Sequence, residues 1–431
     1  MADVDRIGTP ELGQASMDDV PAKAAPIASS RQFSTFGAFQ IRSYRWLFGS
    51  TVSGTLGFQM QSIALGWLVY LMTGSAVALG AITSTQAICQ TSVSPLAGVL
   101  ADRVERRTFI MLVRSLTVIV ALYLAIRVLT NQITYFELLV AAAIFGIAFG
   151  LNGPARQALI AQLVTADLLL NAVSLISAGM NLTRIVGPAL AGVMIGVIGV
   201  GGIYVVLVIL YSAVIIQLVP VPPQPIQNQG PQRNVFVDLL DGFSYSVRMP
   251  AVFGLLLLGS VPLFFAMPYA PLLPIFAEQI WHSGATGYGA LAAAPGIGGL
   301  IGALVVASMG QYKYKGRLML IALVVFGAAL SAFALAPSFL VAEIALLVVG
   351  GASVTYTALV SSLLQLSIPN EMRGRVMAFY QMSFGISGLS ALPASAVAAS
   401  IGAPSTIAIC GILTAVAGVV IFAFRPTLLS L

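Results

Sequence analysis

Charged side chains make up only 8% of this 431-residue sequence, so the few that interrupt apolar stretches hold most of its chemical possibilities. Arg184 is foremost among them. It lies in an apolar run from 168 to 196, about 24 Å along it at the rise of a helix. Ser174, Ser177, Asn181, Arg184 and Pro188 recur at spacings of three and four, which puts them on one helical face. A polar face in hydrocarbon must look into a cavity or onto another helix, and an ionised group there points to function. Two roles are open to Arg184. It can recognise an anionic or polar group of a ligand, or it can satisfy backbone carbonyls or a carboxylate as a structural pin.

Proton-coupling chemistry needs a titratable group. Glu137, Glu278, Glu343 and the single histidine, His282, lie near one end of their apolar runs. Glu137 and Glu343 sit about a turn inside, where desolvation favours the protonated form and suits proton uptake. Neutral hydrogen-bonding groups also fall at helical spacing: Gln59 with Ser62, and Thr83, Gln86, Gln90 and Ser94. With Asn152, Tyr269 and Tyr356 they either line a pathway or join helices to one another. Tyr269 belongs to a run broken by Pro262, Pro268, Pro271 and Pro274, each of which removes a backbone donor and bends a helix. No nucleotide loop, metal-ligand cluster or nucleophile–base pair is evident, and two cysteines with one histidine are too few for a metal centre. No cofactor is expected.

The elements that must position these groups are membrane helices. The chain is 58% hydrophobic with a mean hydropathy of +0.98, outside any soluble class. A helix crossing the bilayer needs about 20 residues, and twelve of them nearly fill the chain. The predicted spans are 45–72, 76–100, 108–129, 135–156, 168–196 and 200–220, then 251–280, 286–309, 317–336, 339–366, 372–401 and 404–424. Residues 1–42 read as a polar tail, 43–220 as a first six-helix half, 221–250 as a central loop with an amphipathic helix over 234–248, and 251–431 as a second half. The net charge of +6 does not mark a nucleic-acid binder. Its basic residues fall on alternate loops, with only Arg127 and Arg184 outside that pattern, which puts both termini in the cytoplasm. QLVTADLLLN at 162–171 and QLSIPNEMRGR at 365–375 recur at matching places, so the halves read as repeats with a site between them.

Between the second and third spans, Asp102, Arg103, Glu105, Arg106 and Arg107 put five charges into six residues. With Gly98, this Gly-x-x-x-Asp-Arg-x-x-Arg-Arg stretch resembles the cytoplasmic loop signature of the major facilitator superfamily, with Glu105 in place of the usual Gly. Gly187, Pro188 and Gly192, with Gly179 upstream, resemble the fifth-helix motif of its exporters, although Thr183 and Ala191 depart from it. NGPARQALIAQLV at 152–164, PYAPLLPIFAEQI at 268–280 and IPNEMRGRVMA at 368–378 resemble the branch holding enterobactin exporters and macrolide efflux proteins; lysophospholipid transporters are similar at this level. The resemblance implies an all-α membrane protein of twelve helices in two pseudo-symmetric halves. It implies export of a small amphipathic molecule across a bacterial plasma membrane by alternating access, in exchange for protons, by a monomer. It carries Asp102, Arg103 and Arg106 over as a conformational latch facing Arg373 and Arg375. A lipid flippase, a nutrient uptake carrier and a membrane enzyme or sensor are the competing readings.

Overall fold

The computed structural model describes residues 36–224, 243–309, 314–369, 372–377, 380, 383 and 387–424, with no strand among them. The first half comprises α1 (Arg42–Thr73), α2 (Ala76–Arg103), α3 (Arg106–Leu129), α4 (Tyr135–Leu163) and α5 (Ala166–Leu218). The second comprises α6 (Pro250–Phe265), α7 (Tyr269–Ile275) with a π-helical turn Phe276–Ile280, α8 (Gly284–Ser308), α9 (Lys315–Ala334), α10 (Phe339–Ser367), α11 (Ala391–Ile401) and α12 (Ala403–Phe424).

Local chemistry sets the helix ends. Gly74 and Gly402, at φ of 59° and 87°, close α1 and α11 in backbone conformations that cost glycine nothing. Thr134 and Glu137 form a capping box that opens α4, and Glu105 caps α3 by accepting from the N–H groups of Arg107 and Thr108. The 53-residue α5 is two passes. Gly199 (φ 73°, ψ 173°) breaks it, and the chain turns back on itself. Its start lies beside α1, where the Tyr44 hydroxyl donates to the Ala172 carbonyl at 2.7 Å. Its end lies beside α3, where Arg107 Nε donates to the Leu218 carbonyl at 3.1 Å. Both ends thus reach the face carrying the 102–107 charges, here called the basic face. The α6–α7 pass is broken by its prolines; of the predicted span 372–401, residues 372–377 and α11 are helical, and each of the other predicted spans coincides with a described helix or with one arm of α5. One boundary differs. Residues 36–41, assigned from sequence to the tail, pack on the basic face: Ala38 is fully buried, its N–H donating to Asn171 Oδ1 at 3.0 Å. Of the amphipathic helix expected over 234–248, residues 243–248 are helical and 234–242 lie outside the described residues.

Lipid tails are as apolar as leucine, so close backbone approach replaces hydrophobic drive in holding such helices together. The two halves use the same device. In the first, α2 lies on α4, where a Cβ at Gly146 would stand 2.3 Å from the Gln86 carbonyl. In the second, α8 lies on α10, where a Cβ at Gly350 would stand 2.0 Å from the Pro295 carbonyl. Between halves, α5 meets α8 and α2 meets α11, both toward the face opposite the basic one. A Cβ on Gly289 would lie 2.6 Å from the Pro188 carbonyl. Ser84 Oγ donates to the Gly388 carbonyl at 2.9 Å and accepts the Leu392 N–H at 3.1 Å. Trp67 stacks on Tyr288 with centroids 6.0 Å apart. Among the described residues, α4 and α10 make their extensive contacts only within their own halves.

Candidate functional site

Where α1 and α2 of the first half face α7 and α8 of the second, a cavity of about 260 Å³ lies between the halves. Ser62, Thr83 and Gln86 bring hydrogen-bonding groups from one side, Tyr269 and Tyr288 from the other, over an apolar floor that includes Ile63 and Leu273. The broken α6–α7 pass puts Tyr269 there: α6 stops at Phe265 and the helix restarts at Tyr269. The mixture of apolar wall, a few amides and hydroxyls, and aromatic rings suits an amphipathic organic molecule. Of the residues singled out from sequence, Ser62, Thr83, Gln86, Tyr269 and Pro271 line this cavity together.

The α5 stripe stands beside it. Pro188 is buried against α8, whereas Ser174, Ser177, Asn181 and Arg184, on the same face and nearer the basic side, are exposed. The stripe therefore faces the second half and becomes accessible where α5 and α8 diverge. The Arg184 carbonyl sits close to Gly296 of α8, and its guanidinium has no hydrogen bond or ion pair among the described residues. Gly187 and Gly192 make opposite contacts: Gly187 packs on Gln59 of α1, and Gly192 on Ala285 and Gly289 of α8. The exporter-like motif thus joins α5 to both halves at once. Gln90 is fixed by its backbone against Gly150, as Gln86 is against Gly146.

Other candidates sit in different surroundings. Tyr356 is fully buried in the second half, its hydroxyl donating to the Leu258 carbonyl, and it does not reach the cavity. Glu137, expected from its position to be desolvated and suited to proton uptake, is instead held by a set of donors. Arg127 Nε donates to it at 2.9 Å, Tyr123 donates its hydroxyl, and the Thr134 N–H donates at 2.7 Å. Arg127 and Glu137, two charges that looked out of place along the chain, account for each other. Glu343 lies half-buried in the opening turns of α10 and Glu278 half-buried in the π-helical turn. The side chains of Asp102 and Arg103 fall outside the described residues; with Gly98, their backbone forms the end of α2. Arg106 is buried, with Nη1 donating to the Ala158 carbonyl at 3.4 Å; Arg373 is exposed; and Arg375 Nη1 lies 3.6 Å from Met372 Sδ.

Three residues escaped the sequence reading. Arg114 and Arg156 sit close enough to the 102–107 charges and the 4–5 turn to pass for loop charges, yet both point into the first half. Tyr288 was missed as well; its only signal is a tyrosine about a turn into an otherwise small-residue helix.

A family model described as transmembrane secretion effector matches residues 33–428. The enterobactin exporter EntS of Citrobacter koseri is 28% identical over 313 residues, covering 71% of this chain and 70% of that protein. That of Salmonella typhi is 28% identical over 286 residues, 65% of this chain and 67% of that protein. Among solved structures, a POT family transporter in complex with a thioalcohol-conjugated peptide superposes with a TM-score of 0.73 at 12% identity, over 90% of this chain and 96% of that one. A bacterial homolog of the human lysosomal transporter Spinster, in an inward-facing and unoccupied conformation, does so with a TM-score of 0.68 at 15% identity, over 90% and 97%. Twelve passes in two matching halves, a cavity between them and a family match spanning nearly the whole chain agree: the protein is an integral membrane transporter and belongs to the transmembrane secretion effector family of the major facilitator superfamily.

Proposed function

We propose that the protein exports siderophore-like amphipathic molecules across a bacterial plasma membrane, with the basic face toward the cytoplasm, by alternating access coupled to proton entry. The observation that carries this reading is the cavity shared by the halves beneath the α5–α8 and α2–α11 contacts. A molecule entering from the basic side meets the Arg184 stripe first and the Gln86–Tyr269 cavity next. A guanidinium suits the catecholate, carboxylate or phenolate groups common in such molecules, and the tyrosines suit their rings. The identity to enterobactin exporters supports the direction of transport and the substrate class. The alternation of basic loops supports the orientation. Coupling falls to Glu343 or Glu278, because Glu137 is already engaged by Arg127 and its own helix cap.

Proteoliposomes under an imposed pH gradient, with a pH-sensitive dye inside, test the reading. Addition of catecholate siderophores is expected to release substrate-dependent proton flux, and Glu343→Gln or Glu278→Gln to abolish it. Movement of labelled lysolipid with no response to siderophores would replace this reading with a lipid translocator. Siderophore movement without proton flux would remove the carboxylates from the mechanism.

A further inference from the structure

Inside the first half, α3 and α4 each bring an arginine inward: Arg114 is buried, and Arg156 is half-buried with its Nε enclosed. Arg114 stands about 12 Å into α3 from the basic face and Arg156 about 10 Å before the end of α4, so they lie at similar depth. Arg114 is 7% exposed. Gly54 of α1 leaves the room its guanidinium fills, for a Cβ there would lie 2.8 Å from Nη2. The Tyr211 ring closes the space from the second arm of α5, and its hydroxyl donates to Gln61 Oε1 at 3.1 Å. The helices that carry them, α3 and α4, pack side by side, so each guanidinium lies in the field of the other.

Around them, hydrogen-bonding capacity is left unused. Arg114 Nε, Arg156 Nε and Gln61 Nε2 are buried donors with no acceptor, and Asn152, one turn before Arg156, has a buried Oδ1 with no donor. Among the described residues no carboxylate reaches either arginine. Arginine does not shed its proton, and a guanidinium removed from water without a counter-charge, as at Arg114, with a second one beside it, is unfavourable. Forked donors on two sides of one space match the oxygens of a single oxyanion. Three residues before Arg156, α4 borders open space: no atom lies within 4 Å of where a Cβ at Gly153 would stand.

We propose that Arg114 and Arg156 form an oxyanion site within the first half, taking a phosphate-type group either as the free ion or as the headgroup of an anionic lipid. The full-length protein, thermally unfolded in neutral detergent, is titrated with inorganic phosphate against chloride at equal ionic strength. It is also unfolded in nanodiscs of phosphatidylcholine with and without phosphatidylglycerol. Ligand that binds only the folded state raises Tm with concentration, here by about 3 °C or more near saturation. A response to phosphate in detergent identifies the free ion as sufficient; a response only to phosphatidylglycerol identifies the headgroup. Arg114→Gln and Arg156→Gln should each raise the half-saturating concentration at least tenfold. Should either fail to fold, Arg156→Lys keeps the charge without the fork and should weaken the response without abolishing it. A wild-type Tm indifferent to both probes overturns the site. So does a response that appears only in Asp102→Asn, since that would make Asp102 the resident counter-charge.

Discussion

Glu105 shows how a departure from a motif can be chemistry rather than decay. Where the resemblance calls for glycine, its carboxylate caps α3, accepting from the Arg107 and Thr108 N–H groups at 3.1 and 2.8 Å and from the Gln224 N–H at 3.3 Å. Burial raises its pKa, but the hydrogen bonds from Thr108, Gln224 and Arg107 outweigh that and hold it below the ordinary carboxylate value. Its folded pKa is therefore below its unfolded one. The cap contributes fully above the usual carboxylate range and is lost as pH falls through the folded value. Glu105→Gln is expected to cost about 1 kcal/mol near neutrality, the typical worth of a cap, and the Tm gap to wild type should close between neutral and acid pH. Arg184 makes the contrasting case. No described group leans on its guanidinium, so Arg184→Lys should leave Tm within a degree or two while lowering transport of an anionic substrate at least tenfold. Equal losses in stability and transport would make it a structural pin. The polar stripe on α5 was legible because periodicity alone defines a face. The environments of Glu137 and Arg114 were not, because they depend on partners from other helices: Arg127 and Tyr123 for the one, Gly54 and Tyr211 for the other.

At the scale of elements, hydropathy located the passes because the cost of unpaired backbone in lipid forces helices of one length. What it left open was how they pack, since small residues serve any close contact. The glycines resolve into two kinds. Gly350 faces the Pro295 carbonyl within one half, a contact that persists however the halves move. Gly289 faces Pro188 and Gly192 across the halves, a contact that parting them relieves. A methyl group at either position meets backbone, which cannot step aside. Gly350→Ala should therefore cost about 1–3 kcal/mol of stability, the range for overpacking, and lower Tm. Gly289→Ala should cost less and instead expose the opposite face, read as faster labelling of a cysteine in place of Ser84. Equal destabilisation by both, with no change in labelling, would mean the α5–α8 contact is as permanent as the α8–α10 one.

For the whole molecule, the contacts between halves among the described residues cluster toward one face, so the alternating access proposed above requires breaking them. Ser84 with Gly388 and Leu392, Trp67 on Tyr288, and Gly192 on Gly289 all lie on that side. A carrier that exchanges access must part α5 from α8 there in every cycle. Gly196 and Thr286 sit at the exposed margin of this contact, where a Cβ at Gly196 would lie 2.9 Å from Thr286 Oγ1. Oγ1 is one bond beyond the Thr286 Cβ, where a cysteine would carry its sulfur, so the two Cβ atoms can meet the separation of about 3.5–4.5 Å that a disulfide needs. With Cys89 and Cys410 replaced by alanine, the pair Gly196→Cys and Thr286→Cys should cross-link under mild oxidant. Oxidation should stop substrate efflux from loaded vesicles, and reductant should restore it to the level of the cysteine-free chain. Substrate binding measured from the basic side should survive the cross-link, because the cavity and the Arg184 stripe are reached without opening α5–α8. Full efflux by the oxidised protein would show that the halves do not part at this face, and that the molecule moves its substrate by another path.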